Sequence, residues 1–369
     1  MKKTNKLASA QLTFFIIQTQ IGVGVLGLPF NVHSVSKQDA WMSVLIAGVA
    51  VQVIIILLWL LGKRFPSQSL FQYSSQLFGK MVGSLINGGY LVYGILVVSL
   101  ILVSAAGIMQ SWSLTLTPKW VIMLLLLIPT IYIGKEKVQD ISNVFVVVSA
   151  LIVLLIIIST LVLFIYPVDW RYLFPMGASG GLTILKGAKE AYFSMLGFEL
   201  ILILYPNFKG NGAGSILKAA TAANGITTII YTFLTIVSLV TFSPEELKIV
   251  PQPVLYYVKS LYFQVIERID LLFASLWIVS VITSLTSYLF LCTESCSHWF
   301  KGKRFYKRGY CAVILTLISF TIALFPHDEQ QVELLSTWVL KVSWLFVLAL
   351  PVLMLGVSLI FKKEESDGA

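Results

Sequence analysis

The sequence predicts an all-α, polytopic membrane protein of about ten transmembrane helices, arranged as two five-span repeats of opposite topology. Of its 369 residues 57% are hydrophobic and 12% are charged, and the mean hydropathy of +0.89 excludes a soluble globule. A window of about 20 residues finds ten apolar stretches. The first and the sixth stretch, which hold equivalent positions in the two halves, are both interrupted by glycine.

The predicted spans follow from hydropathy alone, which locates each end only to within several residues. They cover roughly residues 8–30, 40–62, 82–109, 119–134, 143–166, 183–205, 219–241, 269–292, 310–325 and 338–361. The connections between them are too short to bury a core of their own. The chain is therefore predicted to be a single transmembrane domain over residues 1–369, with repeats at about 8–166 and about 183–361 and no separate soluble domain.

The first span contains residues that an ordinary membrane anchor has no reason to carry. Polar and helix-loosening residues follow one another: Gln18, Gln20, Gly22, Gly24, Gly27 and Pro29. Irregular backbone survives at membrane depth only where protein buries it or where it lines a wet cavity. This predicts a broken helix at a solute site, although such glycines can also serve only to let a neighbouring helix approach closely.

Between the second and third spans, residues 65–79 carry an uncharged apolar face and predict an interfacial helix on the side of the N-terminus. Residues 253–269 repeat this pattern on the other side, between the seventh and eighth spans. The two positions are equivalent if the chain consists of two five-span repeats of opposite topology. In such a repeat the sixth span corresponds to the first, so it should be broken as well.

In the sixth span, Gly197 lies near the middle and Glu199 follows within apolar surroundings. A charged side chain at this depth costs about 2.5–3.5 kcal/mol on insertion scales, unless the group is neutralised by protonation or paired with a partner. We interpret Glu199 as a gating or proton-linked carboxylate, the alternative being a structural pairing with a neighbouring helix. Two discontinuous helices in corresponding positions predict a binding site near the midplane of the membrane.

The distribution of charge predicts the orientation. About two thirds of the 26 lysines and arginines fall on the side of the N-terminus, which places both termini in the cytoplasm. The net charge of +9 is better explained by loop lysines that face anionic lipid than by nucleic acid. No removable signal peptide is expected. The three cysteines and three histidines lack ligand spacing, so neither a metal site nor a cofactor is expected.

Over its whole length the chain resembles the endospore germination permease family, the B subunits of the germinant receptors of spore-forming Firmicutes, in the amino acid/polyamine/organocation superfamily. The matching elements are Gly22-x-Gly24-x-Leu26-x-Leu28-Pro29, Pro66-Ser67-x-Ser69-Leu70-Phe71-x-Tyr73, Leu196-Gly197-Phe198-Glu199 and Pro326-His327-Asp328. The resemblance implies a LeuT-like fold, residence in the spore inner membrane, and assembly with a larger A subunit and a C-subunit lipoprotein. It also implies sensing of a small germinant, commonly an amino acid.

A zwitterionic amino acid would satisfy both breaks, with its carboxylate at the amides of residues 22–26 and its ammonium at the carbonyls of residues 194–196. The resemblance favours Tyr93 in the third span, and Thr283 among the hydroxyls of the eighth, which can also bond to their own helix. The predicted ligand-binding residues are Gly22, Gly24, Val25, Leu26, Gly27, Tyr93, Phe193, Leu196, Gly197 and Thr283.

Three classes of function fit these residues: a germinant receptor subunit, a proton- or cation-coupled amino acid transporter, and a water or ion conduit. An enzyme is not expected, because no span carries a nucleophile and base pair or a zincin-like motif, and no catalytic residue is predicted. Residues 143–166 of the fifth span contain no lysine, arginine or carboxylate that could replace a coupling cation, which weakens the proton-driven transporter.

Overall fold

The computed structural model of the protein describes residues 7–261, 268–300 and 307–365. Every regular element within these ranges is helical. The α-helices are α1 (Ser9–Gln20), α2 (Gly24–Ser36), α3 (Ala40–Arg64), α4 (Leu70–Trp112), α5 (Lys119–Gly134), α6 (Val138–Ile165), α7 (Gly181–Ser194), α8 (Ile201–Phe208), α9 (Ala213–Thr241), α10 (Pro253–Lys259), α11 (Ile269–Phe300), α12 (Arg308–Ala323), α13 (Glu329–Ser343) and α14 (Leu350–Ile360).

Ten spans can be traced through the described residues. Six continuous segments are long and apolar enough to cross a membrane, and α7 with the helical turns after it forms a further span bent by 56°. The apolar helices α5 and α12 are shorter. One of the six segments, Gly24–Arg64, contains both α2 and α3, which the turn at Lys37–Asp39 separates. With α1 and α2 taken as one broken span, the count is the predicted ten.

The first span is broken where the sequence predicts. Ile21, directly after α1, has φ −83° and ψ 86°, outside the helical region, and the helix resumes at Gly24. The predicted end near residue 30 is wrong, because α2 continues through Pro29 to Ser36. The hydropathy window stops at the polar residues that follow Pro29, whereas the structure buries two of them, His33 and Ser36.

The sixth span is also broken. α7 ends at Ser194, and α8 starts only at Ile201 after a helical turn at Phe198–Leu200. Gly197 has φ +128°, a conformation that side-chain-bearing residues rarely adopt. A Cβ added to Gly197 would lie 2.8 Å from Cγ2 of Thr19 and 3.0 Å from the Gln20 nitrogen. The second break therefore rests directly on the first.

Both predicted interfacial helices have a counterpart. The first begins at Leu70 behind a capping box formed by Ser69 and Gln72, and Gly79, with φ +83°, separates it from the third span within α4. The second is α10, which ends at Lys259. Residues 262–267 of the predicted helix lie outside the described residues.

The tenth span differs from the prediction, which placed its start near residue 338. It begins at Glu329 with α13, passes through a π-helical turn at Trp344–Ala349, and ends with α14. The widened turn directs the carbonyl of Phe346 to the hydroxyl of Tyr90, which donates to it at 2.7 Å. Hydropathy misses α13 because several of its residues are polar or charged.

Hydrogen bonds of backbone and side-chain groups tie the connections together at each face. The Leu7 carbonyl accepts from Nδ2 of Asn211 at 2.8 Å, and the Glu365 nitrogen donates to the Arg64 carbonyl at 3.0 Å, so both described ends lie on one face. At the opposite face, the carboxylate of Asp39 accepts from the backbone nitrogens of Gly177 at 2.7 Å and Ser179 at 2.9 Å. Asp39 thus holds the start of α7 to the corner between α2 and α3.

A candidate ligand-binding site between the two helix breaks

A cavity of about 600 Å³ extends from the two breaks toward the face opposite the chain ends. Its inner part is lined by both breaks, by α4 and by α11, through Thr19, Gln20, Gly22, Val23, Gly24, Val97, Leu100, Ile101, Phe193, Ser194, Leu196, Ser284 and Tyr288. Its mouth is lined by the start of α5, the segment before α10 and α13, through Lys119, Pro251, Gln252, Asp328, Glu329 and Glu333. Such a size and composition suit a small solute.

Hydroxyl groups of α11 satisfy the carbonyls that the first break leaves without helical partners. Thr283 Oγ1 donates toward the carbonyl and the side-chain oxygen of Gln18, at 3.2 and 2.8 Å. Ser284 Oγ lies 3.1 Å from the Gln18 carbonyl and 3.0 Å from that of Thr19. The indole Nε1 of Trp277 donates to the Gly22 carbonyl at 3.1 Å. These side chains of α11 thereby stabilise the irregular backbone of the first break.

The two breaks are joined through α9. Gln20 Nε2 donates to the Met195 carbonyl at 2.8 Å, and Gln20 Oε1 accepts from Thr227 at 3.1 Å. The hydroxyl of Tyr231 lies 2.7 Å from the Gln20 carbonyl and 3.2 Å from the Ser194 carbonyl. These are the last residues of α1 and α7, so the C-terminal ends of two half-helices, each carrying partial negative charge, converge on one hydroxyl.

Glu199 lies in the layer beneath the cavity and is almost fully buried. Its Oε1 accepts from the hydroxyls of Tyr93 at 2.9 Å and Tyr288 at 2.7 Å, and its Oε2 accepts from the Gly197 nitrogen at 2.7 Å. Three donors partner its two oxygens, so burial leaves neither oxygen without a hydrogen bond. The group links α4, α11 and the second break.

The structure brings together some of the predicted ligand-binding residues in the cavity wall and places others behind it. Those that line the cavity are Gly22, Gly24, Gly27, Phe193 and Leu196. Those outside the lining are Val25, Leu26, Tyr93, Gly197 and Thr283, and Glu199 lies outside it as well. Tyr93, Gly197 and Thr283 instead contact residues of the two breaks, so they position the wall.

Sequence reasoning missed four residues that hold the site: Thr227, Tyr231, Trp277 and Tyr288. They lie on α9 and α11, whose many hydroxyl-bearing residues give no local signal of which one has a role at the site. A polar atom that is far from either end of a span must find a partner, and this is the one general clue that could have drawn attention to them.

Charge is segregated along the cavity. The charged side chains among the described lining residues, Lys119, Asp328, Glu329 and Glu333, all belong to the mouth. The inner part offers only helix ends, hydroxyls, an amide and apolar side chains. A ligand bound there must therefore be neutral overall or zwitterionic, because an unpaired charge in such surroundings is costly.

Within the described residues no group of three or more histidine, cysteine or acidic side chains is placed to hold a metal ion. The three cysteines are unpaired thiols in this structure.

Known proteins similar to this chain are spore germination proteins. The model of a family described as spore germination protein matches residues 6–332. GerQB of Bacillus cereus is 29% identical over 355 residues, which are 94% of each chain. YndE of Bacillus subtilis strain 168 is 24% identical over 366 residues, which are 98% of this chain and 99% of that protein. Spore germination protein B2 of the same strain is 25% identical over 98% of each chain.

Solved structures show the fold. A structure of MhsT in complex with L-phenylalanine has a TM-score of 0.69 at 16% identity, over 96% of this chain and 89% of that one. The nucleobase-cation-symport transporter Mhp1 has a TM-score of 0.74 at 10% identity, over 96% and 79% of the two chains. Together these neighbours identify the LeuT fold, whose first and sixth spans are discontinuous. With a family model that matches most of its length, the chain belongs to the spore germination permease family.

Proposed function

We propose that this chain is the B subunit of a spore germinant receptor, which binds an amino acid germinant between the two breaks and signals to its partner subunits. The observation that carries the proposal is the cavity where both breaks meet, in a member of a germination family. A neighbour of the same fold is described in complex with L-phenylalanine, which supports an amino acid as ligand.

The proposed ligand lies with its carboxylate at the N-terminus of α2, where no side chain caps the amides that begin at Gly24. Its ammonium lies at the carbonyls of Gln20 and Ser194, where α1 and α7 end. The amide of Gly197, at the start of the other half-helix, already donates to Glu199. The N-terminus of α2 is therefore the position left for the ligand's carboxylate. Val25 and Leu26 supply amides, while Tyr93, Gly197 and Thr283 shape the wall.

The proposal extends to the assembly. We infer an integral protein of the spore inner membrane with both termini in the cytoplasm, paired with an A subunit and a C-subunit lipoprotein. The excess of lysine and arginine on the side of the N-terminus and the germination role named for its relatives support this. The cavity mouth would then face away from the spore core.

Ligand binding can be tested on the purified full-length chain in lipid nanodiscs. A bound amino acid stabilises the folded state by an amount that grows with its concentration, about 2.7 kcal/mol at 100 times Kd. We expect at least one of the 20 common amino acids to raise the unfolding temperature in a saturable manner. Stabilisation by a hydantoin or a sugar, with none from any amino acid, would contradict an amino acid germinant.

Cation- or proton-coupled transport is the alternative that the fold favours, because one neighbour is a nucleobase-cation symporter and another a Na⁺-coupled sialic acid symporter. As a receptor subunit, the reconstituted chain should bind the amino acid without accumulating it when a proton or Na⁺ gradient is imposed. Concentrative uptake that Glu199→Gln abolishes would establish the transporter instead, since an amide cannot cycle protons. Faster osmotic shrinkage of the proteoliposomes than of empty vesicles would indicate a water conduit.

A further inference from the structure

We propose that residues 362–365 form a strap that holds the face of the chain ends closed while the cavity is open at the opposite face. The strap must then release before the cavity can open toward the chain ends. After α14 ends at Ile360, the chain turns back at Lys362, whose φ is +49°. A residue with a side chain adopts this left-handed conformation at an energetic cost, so the contacts of the residues that follow must offset it.

The strap binds near both ends of the first interfacial helix. Glu365 Oε2 accepts from the Ser67 nitrogen at 2.7 Å, just before this helix begins. Lys363 Nζ donates to the carbonyls of Gln76 and Leu77, at 3.4 and 3.2 Å, where the helix ends. The acidic side chain therefore lies near the positive end of the helix dipole and the basic side chain at its negative end. This complementarity of charge fits the strap to the helix in one direction only.

Arg64, the last residue of α3, fastens the strap to the first repeat. Its Nη2 donates to the carbonyls of Ser358 at 3.1 Å and Lys363 at 3.4 Å, and lies 3.5 Å from Oε2 of Glu364. Its own carbonyl accepts from the Glu365 nitrogen at 3.0 Å. The end of α14, the strap and the end of α3 are thus held together by backbone as well as by charge.

The same corner contacts α8, the half of the sixth span that runs from the second break to the face of the chain ends. Lys209, directly after α8, donates through Nζ to Ser67 Oγ at 2.6 Å. Gly62 on α3 admits the ring of Tyr205 on α8, since an added Cβ would lie 2.5 Å from that ring. A path from the cavity to this face must part α8 from neighbours such as α3. By securing the corner where α3 ends, the strap opposes this movement.

The strap is built from contacts that can be broken without unfolding a helix. The side chains of Lys363 and Glu364 are exposed, and that of Glu364 is 66% exposed. Ion pairs between exposed side chains each contribute little, because water solvates the separated charges almost as well. Several of them together bias an equilibrium between closed and open forms rather than fixing one form.

The test measures from which face the cavity can be reached, and it needs no ligand. Ser194 lines the cavity, so Ser194→Cys places a thiol there in a background whose three native cysteines are replaced. A thiol reagent that cannot cross the membrane is applied to each face of sealed vesicles in turn. With the strap intact, we expect labelling from the face of the cavity mouth. Adding Lys363→Gln and Glu365→Gln should raise the labelling rate from the face of the chain ends about fivefold or more, and lower the rate from the mouth.

The matched control is Glu136→Gln with Lys137→Gln, which removes one charge of each sign from exposed positions between α5 and α6. This pair should leave both labelling rates unchanged. Equal rates in the strap variant and the control would overturn the role of the strap.

Salt provides a second measurement on the protein with an intact strap. Raising the ionic strength from about 0.1 M to 1 M shortens the Debye length from about 10 Å to 3 Å, which weakens exposed ion pairs. Labelling from the face of the chain ends should therefore increase with salt when the strap is intact, and not in the strap variant. The same salt dependence in both proteins would show that these charges do not hold the face closed, and would overturn the proposal.

Discussion

At the scale of single residues, glycine sets how closely the two breaks approach each other. A Cβ on Gly24 would lie 3.0 Å from the Ser194 side chain and 3.1 Å from its Cα. The nearer atoms belong to a short side chain and to backbone, so they cannot turn away as a long side chain could. Any larger residue at position 24 must push the second break outward.

Gly24→Val should therefore weaken amino acid binding about fivefold or more, because overpacking of this kind costs about 1–3 kcal/mol. The measurement is the ligand-induced rise in unfolding temperature of the purified variant. Gly225→Val is the matched control, since open space surrounds Gly225 on α9. Ligand protection of Gly24→Val equal to that of the unsubstituted protein would show that the site lies elsewhere.

Residues of the site differ in how far sequence can reveal them. Gly22 and Gly24 could be identified from sequence because glycine within a helix lowers its stability, so several glycines in one apolar span indicate a special backbone conformation. Glu199 is visible because a carboxylate at membrane depth needs partners, although its partners Tyr93 and Tyr288 were not deducible together. Tyr231 is invisible, since its contact with Gln20 joins residues 211 positions apart.

At the scale of elements, α2 and α7, the halves of the broken spans on the face opposite the chain ends, are tied through Asp39. Its carboxylate is buried and accepts backbone hydrogen bonds from the loop that leads into α7. Gly187 on α7 faces the hydroxyls of Ser36 and Ser43, which permits close packing against α2 and α3. These contacts should make α2, α3 and α7 move as one body.

Asp39→Asn should loosen the packing of α2, α3 and α7. The amide NH₂ of asparagine cannot accept a hydrogen bond, so one of the backbone N–H groups of Gly177 and Ser179 would lose its acceptor. Leaving a buried partner unsatisfied costs about 1–3 kcal/mol, and we expect a lower unfolding temperature together with weaker amino acid binding. Asp140→Asn, at an exposed position on α6, serves as the control. If Asp39→Asn matched the control in both measurements, the loop would not be held as described.

The helices and their order could be predicted from sequence, whereas the irregular segments could be predicted only partly. Both breaks were predicted from glycines within apolar spans and, in the sixth span, from a carboxylate at membrane depth. The start of the tenth span was missed because α13 exposes acidic residues to the cavity mouth, so its mean hydropathy falls below that of a lipid-facing helix. The π-helical turn after it lies directly before Pro351, which cannot donate the helical hydrogen bond to the Val347 carbonyl, and its Phe346 packs against Tyr90 and Tyr93 on α4.

At the scale of the whole molecule, the arrangement of faces can be tested by cysteine labelling. The background would first have Cys292, Cys296 and Cys311 replaced. A reagent that cannot cross the membrane should then reach single cysteines at Asp169 and Glu329 from outside, and should miss those at Gln76 and Asn211. The structure places the latter pair beside the chain ends, through contacts with Lys363 and Leu7.

Labelling of both pairs from the same side would contradict the predicted ten-span topology. Much of this topology could be predicted from sequence, because hydropathy gives the number of spans and charge gives their orientation. The depth and lining of the cavity could not, since they depend on which faces of α4, α11 and α13 turn inward. That choice is made by contacts between helices far apart in the chain, such as the bonds from Thr283 to Gln18.

The hydroxyl of Tyr231 has one hydrogen and two carbonyl neighbours, one at the end of each half-helix. It can bond fully to only one of them at a time, so the breaks compete for a shared proton. A shift of either half-helix by a few tenths of an ångström would change which carbonyl receives it. A change of hydrogen-bond partner at Tyr231 would therefore couple the two halves of the binding site through α9, even with no ligand across the gap.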